Sequence, residues 1–445
     1  MKTKVDLLES NILTALTKLS IPIVLTSLIQ MAYNMTDMLW VGRIGSGGVT
    51  AVGTAGMYMW FSNGLALIAK IGGQVKTGYC VGANRLEEAK QYISATLHIA
   101  TFIGVLFGII CLVFTKPMID FFNLSNGKTV QEAMVYLKIT GVGMVCSFLN
   151  QAFAGIFTAI GKSTVLLLST AVGLVTNMIL DPVLIFGMGP FSRLEVMGAA
   201  LATMLAQLVV TVIFFIIAWR DGSIFEGILL VKRQQWSRYK ELLALGIPMA
   251  LQSILFTTIS MVIARVIATF GDHAVAVQKV GSQIESISWV IGDGFSASIN
   301  AFLAQNNGAG KKSRIKKGYG TAIFLAAWWG AFCNLILFLF PKQLFGLFLP
   351  DKELLQMGVD YLRILSVSQI FMCIELTTAG AFSGMGKTIP PSLTSIVLTA
   401  IRIPFGLFLS FTILGLNGIW WSISISSVAK GTVLCVWFLL YLRKK

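Results

Sequence analysis

The chain has 445 residues, 56% of them hydrophobic and only 12% charged, with a mean hydropathy of +0.80 and a formal net charge of +15. Soluble domains carry about a quarter of their residues as charges, so this composition excludes an ordinary soluble fold and points to hydrocarbon as the solvent. The six cysteines, Cys80, Cys111, Cys146, Cys333, Cys373 and Cys435, are scattered without paired spacing and imply neither a metal site nor a disulfide framework.

A bilayer core takes roughly 20 consecutive apolar residues per helical span. Such stretches recur near 15–42, 49–76, 91–115, 132–158, 164–187 and 198–219, then near 241–270, 274–302, 318–341, 356–383, 389–413 and 417–442. They predict an all-α integral membrane protein with twelve transmembrane helices. The first stretch follows a mixed-charge start without a small-residue cleavage pattern, so it is expected to stay in the membrane.

With both termini on one side, that side collects Lys2, Lys4, Arg85, Lys90, Lys162, Arg220, the bases of 232–240 and 311–317, Lys387 and Arg443 to Lys445. The opposite side holds few, among them Arg43, Lys116 and Arg193. The positive-inside rule then makes both termini cytoplasmic. The basic loops are expected to face anionic lipid headgroups rather than nucleic acid.

The chain repeats itself. A shift of 226 positions superposes Leu19, Ile21, Pro22, Gly45, Gly82 and Ala83 on Leu245, Ile247, Pro248, Gly271, Gly308 and Ala309. A shift of 225 pairs Tyr136, Leu137, Gly155, Gly161 and Lys162 with Tyr361, Leu362, Gly380, Gly386 and Lys387. Each repeat holds an even number of spans, so the two are parallel repeats forming two pseudo-symmetric six-helix bundles, with the ligand cavity expected between them. The lobes are placed at 1–222 and 223–445. The basic stretch from Arg220 to Lys240 is too short to bury a core and is expected to lie at the membrane surface as an amphipathic segment.

Ionisable groups inside spans are costly and mark function. The spans single out Asp37, Lys70, Asp181, Arg265, Lys279, Glu285, Asp293, Arg363, Glu375 and Arg402. His98 and His273 lack a triad-like neighbourhood, and no G-x-x-x-x-G-K-[ST] stretch occurs to cradle ATP. No enzyme activity is expected, and the energy source is an ion gradient or a separate partner.

Asp37 lies fifteen residues after Pro22, in the outer half of the first span. A charged carboxylate there needs a cation or donors to compensate its burial. Asn177 and Asp181, four residues apart, share one helix face at a similar depth. Together these oxygens suit Na⁺ or one shared proton; Asp181 could instead end its helix before Pro182. In the second repeat, Glu285 with Lys279 and Glu375 with Arg402 are candidate buried pairs, whose net stability is often small. Asp293, between Gly292 and Gly294, is either a solute-binding anion or another ion-pair partner. Met57, Met59, Trp60, Trp289 and Met372 are candidates for a deformable apolar lining.

Several short motifs occur in order and at consistent spacing. They are Ile21-Pro22, Thr36-Asp37 with Val41-Gly42, Gly72-Gly73-Gln74-Val75 leading to Gly82-Ala83, Asn177 to Pro182, Gly198 to Thr203, and Ala304 to Gly310. In this pattern the chain resembles, over nearly its full length, the multidrug and toxic compound extrusion (MATE) transporters of the multidrug/oligosaccharidyl-lipid/polysaccharide flippase superfamily. The resemblance implies that Asp37, Asn177, Asp181 and Thr203 form a cation or proton site where Na⁺ can bind. It also implies that Tyr33 lines the same cavity and that Pro22 lets the first helix bend, as a helix-interior proline allows. Some members carry an acid in the seventh span for a second Na⁺ site; here Ser253 to Ala264 has none. Where many have an Asn in the fourth span this chain has Ala154, with Asn150 and Gln151 within one turn as substitute cavity contacts.

The expected function is secondary antiport by alternating access: export of a small amphipathic, often cationic, organic compound in exchange for H⁺ or Na⁺, with no further cofactor. Glu285, Asp293 and Glu375 are additional cavity candidates. The alternatives are a lipid-linked precursor flippase of the same superfamily and a receptor or scaffold without transport. A monomer is expected, and the resemblance implies a bacterial inner membrane.

Overall fold

The computed structural model describes residues 5–124, 126–188, 192–221, 224–225, 234–348 and 352–444. Hydrocarbon supplies no hydrogen bonds, so a spanning segment must close its backbone bonds internally, and the described chain is helical almost throughout. The first repeat forms α1 (Ile12–Gly42), α2 (Ser46–Gly82), α3 (Leu86–Val113), α4 (Thr115–Asp120), α5 (Gly127–Ala159), α6 (Ser163–Phe186) and α7 (Glu195–Arg220). The second forms α8 (Trp236–Ala268), α9 (Asp272–Gly308), α10 (Lys312–Leu339), α11 (Pro341–Gly346), α12 (Lys352–Ser366), α13 (Gln369–Gly384), α14 (Ile389–Ala400), α15 (Arg402–Ser410) and α16 (Leu416–Lys444).

The repeat seen in the residues is also a repeat of elements. α2, α3 and α4 return as α9, α10 and α11 with both ends offset by 226, and α5 returns as the pair α12 and α13 with an offset of 225. Left-handed turns recur at the same offsets: Gly45 and Gly271 (φ 129° and 104°), Asn84 and Gly310 (58° and 69°), Gly161 and Gly386 (79° and 73°). Positive φ is open to glycine and tolerated by asparagine, which is why these positions hold those two types.

Each expected span is matched by a long helix or by a pair in sequence. Among the described residues nine are long and apolar enough to cross a membrane, counting α14 and α15 as one, and α12 with α13 makes a tenth, bent by 48°. α2 and α9, 37 residues each, have the length but not the continuous apolar stretch that the nine carry. The small helices α4 and α11 and the interruptions of the tenth and eleventh spans were not anticipated. The expected surface segment between Arg220 and Lys240 lies largely outside the described residues.

By contacts the chain divides into two compact units: Met1–Val5 with Ile21–Ala250, and Asp6–Ser20 with Leu251–Lys445. The start of α1 therefore counts with the second unit and the start of α8 with the first, a division that differs in these two segments from a single cut at 222/223. In the first unit the start of α8 is held by Glu241, which pairs with Lys76 of α2 and accepts from the Tyr92 hydroxyl of α3 at 2.7 Å. Tyr239 meets His98 of α3 at 2.8 Å. In the second unit Asn306 of α9 donates to the Leu7 carbonyl at 3.0 Å, and Arg314 of α10 donates to the same oxygen at 3.2 Å. Both chain crossings fall beside repeat-matched prolines inside their helices, Pro22 and Pro248.

In the first unit α6 and α7 pack closely because Gly198 has no side chain: a Cβ there would lie 2.5 Å from the Leu184 carbonyl oxygen. The left-handed Gly187 (φ 73°) ends α6 and starts the turn back, closed by Leu194 N–H to Leu184 O at 3.0 Å. Gly198→Val is expected to force the two helices apart at a cost on the order of 1–3 kcal/mol, read as a lower melting temperature of the purified protein in detergent.

Candidate functional site

Four helices of the first unit bring oxygen-bearing side chains to one place. α1 supplies Tyr33 and Asp37, α5 supplies Tyr136, α6 supplies Asn177 and Asp181, and α7 supplies Thr203. The i, i+4 spacing on α6 aims Asn177 and Asp181 the same way, and both are 0% exposed. α6 runs through Pro182 to Phe186, so Asp181 does not end its helix as one reading of the sequence allowed.

Tyr33 donates its hydroxyl to Thr203 Oγ1 at 3.2 Å, and Asn177 Nδ2 donates to Asp181 Oδ1 at 3.1 Å. The Tyr136 hydroxyl, on α5, lies near Thr203, Asp37 and Asp181. Three buried oxygens, Asp37 Oδ1, Asn177 Oδ1 and Asp181 Oδ2, make no hydrogen bond to another described residue. No ion pair reaches either acid among the described residues. Unpaired acceptors are expensive away from water, and a cluster of carboxylate, amide and hydroxyl oxygens has the chemistry of a hard monovalent cation or of a proton shared between acids. Histidine and cysteine take no part, and no group of three His, Cys, Asp or Glu that could hold a metal occurs among the described residues.

The other candidates are placed differently. Asn150 is engaged with α7: its Nδ2 donates to Gln207 O at 3.0 Å and Gln207 Oε1 at 2.8 Å, and its Oδ1 accepts from Thr211 at 2.9 Å. That makes Asn150 a packing contact of α5 on α7. Gln151 is half-buried without a side-chain hydrogen bond among the described residues. Asp293 is exposed on α9, with no partner among them. Met372 is core, 3% exposed beside Cys373 and Ala326, whereas Met57 and Trp60 are 42% and 74% exposed.

The two pairings expected in the second repeat are not those observed. Glu375 pairs with Lys430 of α16 at 2.9 Å instead of Arg402. Glu285 accepts from the Tyr361 hydroxyl at 3.0 Å and from Gln369 Nε2 at 2.8 Å, while Lys279 is exposed. Arg402 donates through Nε to Ser426 and through Nη2 to Ser427 at 2.9 Å. Helical phase explains the exchange: Ser422, Ser426, Ser427 and Lys430 share one face of α16, so Arg402 meets serines and Glu375 meets the lysine. Lys430, 1% exposed inside the twelfth span, escaped the selection of intramembrane charges although its position alone qualified it. Tyr136 was also missed, yet the repeat match of Tyr136 with Tyr361 marked both, and in each unit this tyrosine faces a carboxyl.

A fold of twelve transmembrane helices in two six-helix bundles, with a buried oxygen site inside the first, is that of a polytopic membrane transporter. The MatE family model matches residues 22–183 and 248–408, one match per repeat, and the chain belongs to the MATE family of transporters. It is 26% identical over 428 residues to the probable multidrug resistance protein NorM of Thermotoga maritima, covering 95% of this chain and 91% of that one. It is 25% identical over 437 residues to the multidrug export protein MepA of Staphylococcus saprophyticus, covering 97% and 95%. Among solved structures, one described as the outward-facing conformation of a multidrug resistance MATE family transporter of the MOP superfamily superposes with a TM-score of 0.91 at 23% identity, covering 100% of this chain and 98% of that one. The protein is thus a multi-pass membrane transporter of small molecules and not an enzyme.

The Lys430–Glu375 pair is enclosed on both sides, with side chains 1% and 7% exposed. Lys430→Met is expected to leave Glu375 uncompensated and to cost about 3–5 kcal/mol. Adding Glu375→Gln should recover most of that loss, read as the coupling term of a double-mutant cycle in chemical unfolding.

Proposed function

We propose that this chain is an ion-coupled antiporter that exports small amphipathic, often cationic, organic compounds, drugs among them, by alternating access. The observation that carries this reading is the cluster of Asp37, Asn177, Asp181, Tyr136 and Thr203, with three buried oxygens that have neither a hydrogen bond nor a basic partner among the described residues. Its coupling ion is H⁺ or Na⁺, taken as a transported species rather than a resident cofactor. An ion shifts a two-state protein only by binding the states unequally. Asp37 stands on α1, past Pro22, whereas Asn177 and Asp181 stand on α6. Any change of α1 at Pro22 alters the distance between the acids and so their affinity for a cation. Pro22 contributes no N–H to the helix, which lowers the cost of such a change. Absence of an ATP-cradling motif supports a gradient as the energy source. The names of the relatives, multidrug resistance and multidrug export proteins, support the substrate class. Gln151 in the first unit and Asp293 in the second, neither of them hydrogen-bonded to another described residue, are each a candidate solute contact. The charge bias of the loops supports cytoplasmic termini, and the protein acts as a monomer in the cell membrane, its basic loops on anionic lipid.

The test is efflux of a fluorescent organic cation from proteoliposomes under an imposed pH gradient or an imposed Na⁺ gradient, with the native protein and Asp37→Asn. The expected outcome is flux driven by one of the gradients and lost in Asp37→Asn, which identifies the coupling ion. Full coupled flux in the variant, or none from the native protein under either gradient, overturns the reading; in the second case lipid-linked substrates are tested next.

A further inference from the structure

α9 and α10 repeat α2 and α3 at an offset of 226, so the helix openings that follow the two turns can be compared residue by residue. In the first unit the stretch that opens α3, Arg85 to Gln91, holds two bases and two acids, which meet as Arg85–Glu88 at 3.6 Å and Lys90–Glu87 at 2.8 Å. In the second unit the matched stretch, Lys311 to Lys317, holds five bases and no acid, with Ser313 in the place of Glu87 and Arg314 in that of Glu88. Lys311 is neutralised by Glu9, whereas Arg314, Lys316 and Lys317 form no ion pair among the described residues. Acids suit the first turn of a helix and bases oppose its dipole. α3 opens with two acids; α10 opens with none and has no side-chain cap. The first unit builds the same turn without an excess of base, so the fold does not require one, and an anion facing these bases would offset their mutual repulsion.

The bases surround a space. An open cavity of about 470 Å³ is lined by Ile12, Lys311, Lys312, Ser313, Arg314 and Lys317, and a smaller one of about 130 Å³, which shares Lys312, has Lys316 beside the apolar Ile315, Met385 and Leu442. Arg314 is fixed in place: its Nε donates to the Leu7 carbonyl at 3.2 Å, its Nη2 donates to the Ser10 carbonyl, and its guanidinium stands over the Phe302 ring at 5.3 Å. Carbonyls are neutral, so they position this charge without cancelling it, and Nη1 is left to donate to a ligand. Next to the bases the surface turns apolar. α10 is long and apolar enough to cross a membrane, which puts its first turn at the membrane surface. Lys317, Phe324 and Trp328 share one face of α10 by helical spacing, and the two aromatics are 68% and 63% exposed. On the same side Gly320 has open space where a side chain would stand. A free phosphate would use the bases alone; a phosphate carrying acyl chains uses the bases and the apolar face together.

We propose that the opening of α10 is a headgroup site for one anionic glycerophospholipid, whose phosphate lies in the cavity on Lys312, Arg314, Lys317 and the Ser313 hydroxyl and whose acyl chain runs along Phe324 and Trp328. Arginine takes phosphate oxygens through paired N–H groups and lysine as a point charge, and a preset guanidinium loses little freedom when it binds. The site sharpens the expectation that the basic loops face anionic lipid and rests on it: one lipid is assigned to the second repeat and none to the matched, charge-balanced turn of the first. Arg314 also holds Leu7 and Ser10, so the headgroup bears on the segment that leads into α1. Binding does not depend on the antiport reading above.

The test is native mass spectrometry of the purified full-length protein in neutral detergent, without substrate or gradient, titrated with phosphatidylglycerol or with phosphatidylcholine of the same acyl chains. The expected result is a first phosphatidylglycerol that binds more tightly than phosphatidylcholine and survives collisional activation that strips it. Ser313→Glu copies Glu87 and places an acid where a helix opening favours one, so the variant should fold. It is expected to weaken the first phosphatidylglycerol about fivefold, and adding Lys317→Gln should bring the loss to roughly thirtyfold. Arg85→Gln/Lys90→Gln, at the matched turn of the first unit, should leave that affinity unchanged. Equal binding of the two lipids by the native protein, a reading that needs no variant to fold, overturns the proposal, as does unchanged affinity in Ser313→Glu/Lys317→Gln. Equal loss in Arg85→Gln/Lys90→Gln overturns it too and leaves only a diffuse attraction of basic loops. Displacement of the lipid by inorganic phosphate at equal concentration would make the cavity a free-anion site and overturn the lipid assignment. Failure of the efflux experiment alongside selective phosphatidylglycerol binding would remove the antiport reading and leave this site standing.

Discussion

Hydrocarbon cannot hydrogen-bond, and that single constraint organises this molecule. It forces the backbone into helices that close their own bonds and allows close helix contacts where a glycine removes a side chain, as at Gly198 against Leu184. It also makes each buried charge a position where the cost must be met by a partner or by a ligand. Stability and function are therefore decided at the same residues. The apolar remainder of the chain surrounds them and leaves their pairing to geometry.

The two repeats meet this constraint in different ways. α2 to α4 return as α9 to α11, the left-handed turns recur, and a tyrosine stands at the same place, Tyr361 bonded to Glu285 and Tyr136 near Asp37 and Asp181. The first unit gathers two acids that have no basic partner among the described residues, and oxygen atoms of Asp37, Asn177 and Asp181 make no hydrogen bond to another described residue. The second unit gathers two acids and two bases, and its helices are interrupted at the bend between α12 and α13 and at Ile401 before Arg402. A duplicated scaffold thus carries an acid cluster in one copy and a balanced charge cluster in the other.

Much of this was legible in the residues. Twelve apolar stretches and the offset of 226 could be read because hydropathy is a local property, and i, i+4 spacing put Asn177 and Asp181 on one helix face; that Asp37 and Thr203 join them was implied by the family resemblance and not by any spacing. The pairings in the second repeat were not legible. Glu375 finds Lys430 and not Arg402 because α16 lies beside α13 with its lysine on the facing side, and no spacing along the chain encodes which face of α16 turns inward. Asn150 likewise looked available for solute until α7 brought Gln207 and Thr211 against it.

The sequence by itself determined the solvent, the helices and the duplication, since these follow from composition, from hydropathy along the chain and from residue matches at a fixed offset; which charges are buried it did not determine, as Lys430 is buried and Asp293 and Lys279 are exposed. Tertiary structure decided which charges are neutralised and which oxygens remain without a donor. It also moved the starts of α1 and α8 into the units opposite to their repeats. The physical reason is the same in each case: a hydrogen bond or an ion pair forms within about 3–4 Å, and helices that are far apart in the chain come within that distance only once packing has set their rotation and depth.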